Sequence, residues 1–408
     1  MDFVSLWVNV ANEMTNQGPA GPPLLKHLNE RSVLETIRAG APISRAEISR
    51  RAGISKPTVS LALQSLRESG LVREAERLPD GPSYGAVYFE PISEAALALG
   101  FDVGTRFVRG AICDLSGAVR ARQDVELTHA EAGGAVEAIV RLRDSLTEAT
   151  GLSPELVDGA VVGVPGVVEA GTGVLRLAGN VEGLEGRAFA GELERALDVP
   201  VELENDINLA AIGELWQGVA RGVANFAFLS VGTGLGAGLV LGGELHRGRN
   251  GAAGELDFAL GARSDDDDPC APAVTALASR LASSGRETEL ASPYDTRAIF
   301  GAARNGDPVG REVVDEVARR IALHVAPIAA VADVELVVLG GGIAANGDLL
   351  LDPVGRLLAE WLPFPPRVEV STLGEAAVLT GALAVGLQAA RENVFTRTRP
   401  RPQATAHA

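Results

Sequence analysis

The sequence predicts an α/β protein: a small N-terminal winged helix-turn-helix, followed by a larger domain of two related lobes. Three observations carry this. Three short capped helices can be read between Leu28 and Ser69, a strand–helix alternation starts at Ala98 and restarts near Asn225, and the charge is uneven. The chain has 408 residues, enough for two or three cores, and a net charge of −17, which argues against a general nucleic-acid coat. Yet from Lys26 to Arg77 ten basic residues meet six acidic ones. An acidic body with one basic module suits a protein that touches DNA with one part only.

The expected boundaries are a disordered extension over 1–23, a DNA-binding domain over 24–90, the α/β domain over 97–390 and a disordered tail over 391–408. Phe3 to Val10 is too short to span a bilayer, and no basic segment precedes it. A cytoplasmic protein with no membrane partner is expected. Cys113 and Cys270 are the only cysteines, which excludes a disulfide framework and a thiolate-rich zinc site.

In the basic module the first helix is expected from Asn29, with Leu28 and Val33 as a staple, Val33, Leu34 and Ile37 as its stripe, and Gly40 as its end. Ser44 caps the second, with Glu47 completing a capping box, and Gly53 makes the turn. Ser55 opens the third, with Pro57 in its first turn, Val59, Leu63 and Leu66 facing inward, and Gly70 at its end. This is helix-turn-helix spacing. Arg45, Lys56, Thr58, Ser60, Gln64 and Arg67 are the candidates for bases and phosphates. Leu71–Arg73 and Ala86–Tyr88, joined around Pro79–Pro82, read as the wing. An ordinary small helical domain would show the same stripes, but not the caps, hairpin and charge together.

In the large domain, strands are expected at Leu97–Asp102, Phe107–Asp114, Val119–Leu127, Val157–Val164, Asn225–Val231, Ala237–Leu241 and Val337–Leu339, with a helix over Gly134–Thr150. Four places follow strands or precede a helix and can carry chemistry. These are Asp102-Val103-Gly104-Thr105, Glu204-Asn205-Asp206-Ile207-Asn208, Gly232-Thr233-Gly234 continuing to Gly238, and Gly340-Gly341-Gly342. Glycine lets backbone N–H groups approach a phosphate, although it also serves tight turns. Asp206 could equally be a carboxylate satisfied at a helix start.

Together with Gly163-Val164-Pro165-Gly166, Asn180, Gly183, Gly186 and Gly251-Ala252-Ala253-Gly254-Glu255, these runs resemble the ROK family of sugar kinases and sugar-responsive repressors. The likeness extends from about Leu28 to Gln388 and implies a two-lobed actin-like ATPase (ribonuclease H-like) fold. It implies that Asn180, Asn205, Asp206 and Glu255 bind sugar hydroxyls. In a family kinase the residue matching Asp206 is the general base. Gly232–Gly238 would lie by the phosphates and Gly340–Gly342 by the adenosine.

Departures from the family pattern separate its two roles. In its first phosphate loop, Asp-x-Gly-Gly-Thr, Thr105 and Arg106 occupy the last two places. Phe258 stands where a zinc histidine is expected, and Ser264–Cys270 replaces a cysteine run. One thiol and no histidine cannot build a tetrahedral site, so no metal is expected and an acidic solvated loop is. Thr275 replaces a sugar-binding glutamate. The resemblance then implies a sugar-sensing repressor without cofactor, with operator DNA and a small carbohydrate as partners, acting as a homodimer or higher oligomer. The alternative is an active sugar kinase using ATP and Mg, and a third reading has the large domain bind a protein. Gly81-Pro82-Ser83 has no arginine at the wing tip, so minor-groove reading by the wing is not expected.

Overall fold

The computed structural model describes residues 22–75, 86–256 and 267–395. Phe3–Val10, the wing tip at Pro79–Ser83, Phe258 and Ser264–Asp266 lie outside these residues.

The first helix, α1, spans Pro22–Gly40. It starts seven residues ahead of Asn29, because prolines in a first turn give up only N–H groups that lack partners anyway. Leu28 is exposed, so the expected staple is not made. Strand β1 (Ile43–Ser44) leads into α2 (Arg45–Ala52), where Ser44 Oγ accepts from the Glu47 N–H and Gly53 closes the helix in the left-handed region. The reciprocal half of the box is absent: the Glu47 carboxylate takes Arg50 and Arg51 instead. Ser55 caps α3 (Lys56–Glu68), which buries Val59, Ala62, Leu63 and Leu66. Strands β2 (Val72–Glu74) and β3 (Tyr88–Pro91) pair antiparallel, and β1 adds to β3. The second wing strand thus starts two residues later than the Ala86 reading.

The first lobe contains β4 (Leu97–Val103), β5 (Phe107–Asp114), β6 (Val119–Glu126), α4 (Ala132–Thr150), β7 (Val157–Val164), the short β8 (Val167–Val168) and β9 (Leu175–Arg176), α5 (Phe189–Leu197) and β10 (Val201–Asn205). Helix α6 (Asp206–Gln217) follows at once. The second lobe contains β11 (Phe226–Val231), β12 (Leu235–Leu241), β13 (Glu244–Leu245), α7 (Ala271–Ala282), α8 (Thr296–Arg304), α9 (Pro308–Ala332), β14 (Leu336–Gly340), α10 (Gly341–Ala344), α11 (Gly347–Trp361) and β15 (Arg367–Val370). The last helix is α12 (Ala377–Asn393).

The two sheets repeat one topology. Their orders are β10-β7-β4-β5-β6 and β13-β12-β11-β14-β15. In each, a leading strand pairs antiparallel with its successor on one side and parallel with a later strand on the other. Fully buried strands such as Leu336–Gly340 explain why these segments read as unbroken apolar runs.

Helices α6 and α12 cross between the lobes with almost nothing separating their backbones. A Cβ on Gly381 would fall 1.8 Å from the Leu209 carbonyl oxygen, and one on Gly213 2.3 Å from that of Ala377. Helix α12 also continues into the segment expected as tail. Arg391 donates to the Leu115 carbonyl at 2.9 Å and Val394 is buried, so the order extends past residue 391. Its Leu383, Leu387, Ala390 and Val394 share one apolar core with Val33, Leu34 and Ile37 of α1. The winged helix is therefore packed onto the large domain.

Gly381→Ala should destabilise the protein by at least about 3 kcal/mol in denaturant melts, since backbone cannot retreat from the added carbon. Gly355→Ala, in α11 with open space around its Cβ, should stabilise by about 0.5–1 kcal/mol.

Candidate ligand pocket and nucleic-acid interface

Three parallel strands end side by side in the first lobe. The register aligns Asp102 of β4 with Gly163 of β7, and Glu204 of β10 with the same glycine. Strand ends of this kind are where open α/β sheets bind ligands. Helix α6 starts there, and Asn205 is its cap: Oδ1 accepts from the Ile207 and Asn208 N–H groups at 2.9 and 3.0 Å. Its Nδ2 donates to the Gly166 carbonyl at 2.9 Å. Asn205, expected to bind a ligand, thus spends its acceptor on the helix and one amide N–H on Gly166, and its amide carries a second N–H.

Glu204 is also buried. Oε1 accepts from the Asn205 N–H and from Asn208 Nδ2, both at 2.9 Å, and Oε2 from Arg247 Nε at 2.5 Å. It fixes the strand–helix corner and ties it to the second lobe. The Glu204–Asn208 run pointed to it, but no sequence signal pointed to Arg247.

Asp206 and Asp102 are brought together. Asp102 accepts from Arg109 Nη1 at 3.3 Å, and the same guanidinium reaches Glu375, just before α12, at 2.7 Å. Burial nonetheless pushes the Asp102 carboxyl up to about 6, against the opposing charge of Arg109. Asp206 is pushed up to about 7, first by burial and then by the Asp102 charge, with the Ile207 N–H opposing and Glu255 adding repulsion. Glu255 is held near Asp206 by the turn at Gly254, where a Cβ would meet the Ala237 carbonyl oxygen at 1.8 Å. Asn180 lies exposed after β9. A carboxyl of this kind can accept from or donate to a hydroxyl near neutral pH.

The glycine loops are arranged less openly. Ser230 of β11 pairs with Gly340 of β14, which sets Gly232-Thr233-Gly234 beside Gly340-Gly341-Gly342. But the Gly232 N–H donates to the Gly234 carbonyl at 3.1 Å, and the Gly104 N–H to that of Phe107 at 2.9 Å. Thr105 is exposed. Arg106 is 77% exposed, lies over the Phe107 ring and faces Glu126 at 3.8 Å. In each of these two loops one backbone donor is thus turned inward.

Of the segment expected as a solvated loop, residues 267–270 are described, and these are anchored. Asp268 accepts from the Cys270 N–H at 2.8 Å. Arg320, only 2% exposed, donates to the Asp268 carbonyl at 2.7 Å, and Arg319 to Asp267 at 3.2 Å. Ala271 N–H in turn donates to the Gly232 carbonyl at 2.9 Å. Thr275 on α7 donates to the Pro272 carbonyl at 2.9 Å.

On the winged helix, Lys56, Gln64 and Arg67 are exposed on α3, and Arg45 on α2 donates to Ser60 Oγ at 3.2 Å. Thr58 shares a 2.8 Å bond with Ser55 and so serves the cap. Gln64 Nε2 donates to Glu68 at 2.9 Å, and Arg67 pairs with Glu74 at 3.1 Å. A shallow groove of about 630 Å³ lies along Arg45, Ser60, Gln64, Arg67 and Phe89. Four of the six expected residues thus line one groove, and Lys56 and Thr58 lie outside it.

Comparison with known proteins fits both halves. The sequence profile of the ROK family matches residues 98–389, and that of winged helix-turn-helix DNA-binding domains matches 27–73. The chain is 27% identical to a xylose repressor of Caldicellulosiruptor bescii, over 89% of this chain and 96% of the relative. A crystal structure of a ROK family transcriptional regulator, a homologue of the E. coli Mlc protein, shares the fold with a TM-score of 0.75, at 20% identity over 91% of this chain and 98% of that one. A ROK family glucokinase from Streptomyces griseus, solved with glucose and AMPPNP, gives 0.60 at 27% identity, over 72% of this chain and all of the other.

Raised carboxyls weaken the fold as pH climbs from about 4 to about 7, because the charged forms are disfavoured only in the folded state. Asp206→Asn should therefore raise the melting midpoint by about 2–4 °C at pH 8 and leave it almost unchanged at pH 3, by calorimetry.

Proposed function

The chain belongs to the ROK family, and from that premise we propose that it is a DNA-binding transcriptional repressor whose two-lobed domain senses a carbohydrate. The observation that carries this reading is a continuous packing from pocket to DNA-binding domain. Helix α6 holds Asp206 in its first turn and Trp216 in its last, roughly 15 Å apart at helical rise. Trp216 packs against the core that α12 shares with α1.

A sugar hydroxyl bonded to Asp206, with Glu255 contributing from the second lobe, favours one closure of the lobes. Closure shifts α6, and the glycine seam makes α12 move with it. The winged helix is then displaced relative to its counterpart in a homodimer, which changes the spacing of two α3 helices along the duplex. The ligand thereby lowers affinity for a palindromic operator. The likeness to a xylose repressor supports a sugar as the effector; which sugar is a matter of pocket shape.

The kinase reading rests on Asp206, whose raised carboxyl suits a general base. Against it stand the inward Gly104 and Gly232 donors and the outward Arg106. Arg319 and Arg320 hold the α7 entry through Asp267 and the Asp268 carbonyl.

In fluorescence anisotropy on DNA upstream of its own gene, one sugar of a panel should weaken specific binding by about 5- to 150-fold. Trp216→Ala should keep both binding reactions and lose most of that ratio. An ADP-release assay over hexoses should show no turnover; turnover abolished by Asp206→Asn would replace the sensor with an enzyme. Addition of a chelator should leave the melting midpoint unchanged.

A further inference from the structure

Helix α3 carries a side chain that neither its packing nor its polar face accounts for. Leu61 is 69% exposed, in the middle of the helix that the DNA-binding reading places in the major groove. At 100° per residue, the buried Val59, Ala62, Leu63 and Leu66 define the inner face, and Leu61 falls nearly opposite it. Pro57, one turn earlier and also exposed, lies on the same ridge, and Gln64 stands beside it. The ridge is therefore apolar at its N-terminal end and runs on through Gln64 to Glu68, while Lys56, Arg67 and, from α2, Arg45 lie along the neighbouring side that holds Ser60.

An exposed leucine gains nothing from water, and this one supports no part of the winged-helix core. The helix belongs to a winged helix-turn-helix match, and the cations on its adjoining side favour a polyanion as the occupant over an apolar protein face. In the major groove of B-DNA the only apolar group on a base edge is the C5-methyl of thymine. The helix half that bears Leu61 is the one that meets base edges in helix-turn-helix complexes.

We infer that Leu61 is a specificity-determining residue that selects a thymine in each half-site through its C5-methyl group. This rests on the DNA-binding reading and goes beyond it. Gln64, whose Nε2 is engaged by Glu68, then contributes to the same patch with its remaining amide donor and its carbonyl.

The test uses the full-length protein and the highest-affinity duplex selected from a random pool. Each thymine is replaced in turn by deoxyuridine, which removes only the methyl group. Wild type should lose roughly fourfold in affinity at one symmetric thymine position, the value of one buried methyl. Leu61→Ala, harmless to an exposed helix site, loses the contact in both half-sites, so it should bind roughly 16-fold more weakly than wild type and be indifferent to that replacement. Wild type that binds a selected sequence but ignores every deoxyuridine overturns the assignment alone, as does a methyl effect that persists in Leu61→Ala. A selection that enriches no sequence overturns the DNA-binding reading, and this assignment with it.

Discussion

The structure depends on the contact between α6 and α12. Where the Gly381 and Gly213 backbones meet carbonyl oxygens of the opposite helix, no side chain intervenes to absorb movement. Packed interfaces of this kind are stiff, and a rigid-body shift is the only inexpensive response. Each helix then ends in a different environment. The start of α6 lies among buried carboxyls, and the far half of α12 lies in the winged-helix core. The geometry that makes this pair hard to deform also makes it a lever.

Around that lever, charge fixes the corners. Glu204 and Arg247 bind the two lobes at the base of α6, and Arg109 joins the sheet of the first lobe to Glu375 at the head of α12. Arg320 fixes the entry to α7 against α9. Such buried and half-buried pairs add little net stability against their desolvation, but they penalise any arrangement that leaves one partner unpaired. They define discrete positions for the lobes. The carboxyls of Asp102 and Asp206 are the exception: they repel, and a hydroxyl donor between them would relieve part of that repulsion.

Much of this architecture was legible in the sequence, for local reasons. Strands β5 and β7 were read to the residue, because buried strands are continuous apolar runs bounded by glycine or polar turns. Caps at Ser44 and Ser55 were legible because capping is a contact between residues three apart. Reading Asn29 as a start failed for the same reason: a good capping residue is also tolerated mid-helix when prolines upstream begin the helix earlier. The pocket was legible in part. Asp102, Asp206 and Glu255 were picked out and do come together, and the part Asn205 plays as cap of its own helix was not read. Periodicity had pointed away from Leu61, since its polar neighbours drew attention to themselves.

The sequence by itself determined the order of elements, the duplicated lobes, the basic module and the chemical types available at the strand ends, because each is set by neighbours along the chain. Tertiary structure alone decided which charges meet and which N–H groups stay open. It also decided that the C-terminal helix is the floor on which the winged helix rests. Arg391 and Leu115, or Arg109 and Glu375, lie hundreds of residues apart and carry no mark of each other. Their pairing follows from the closure of two sheets around two helices, and no local pattern records it.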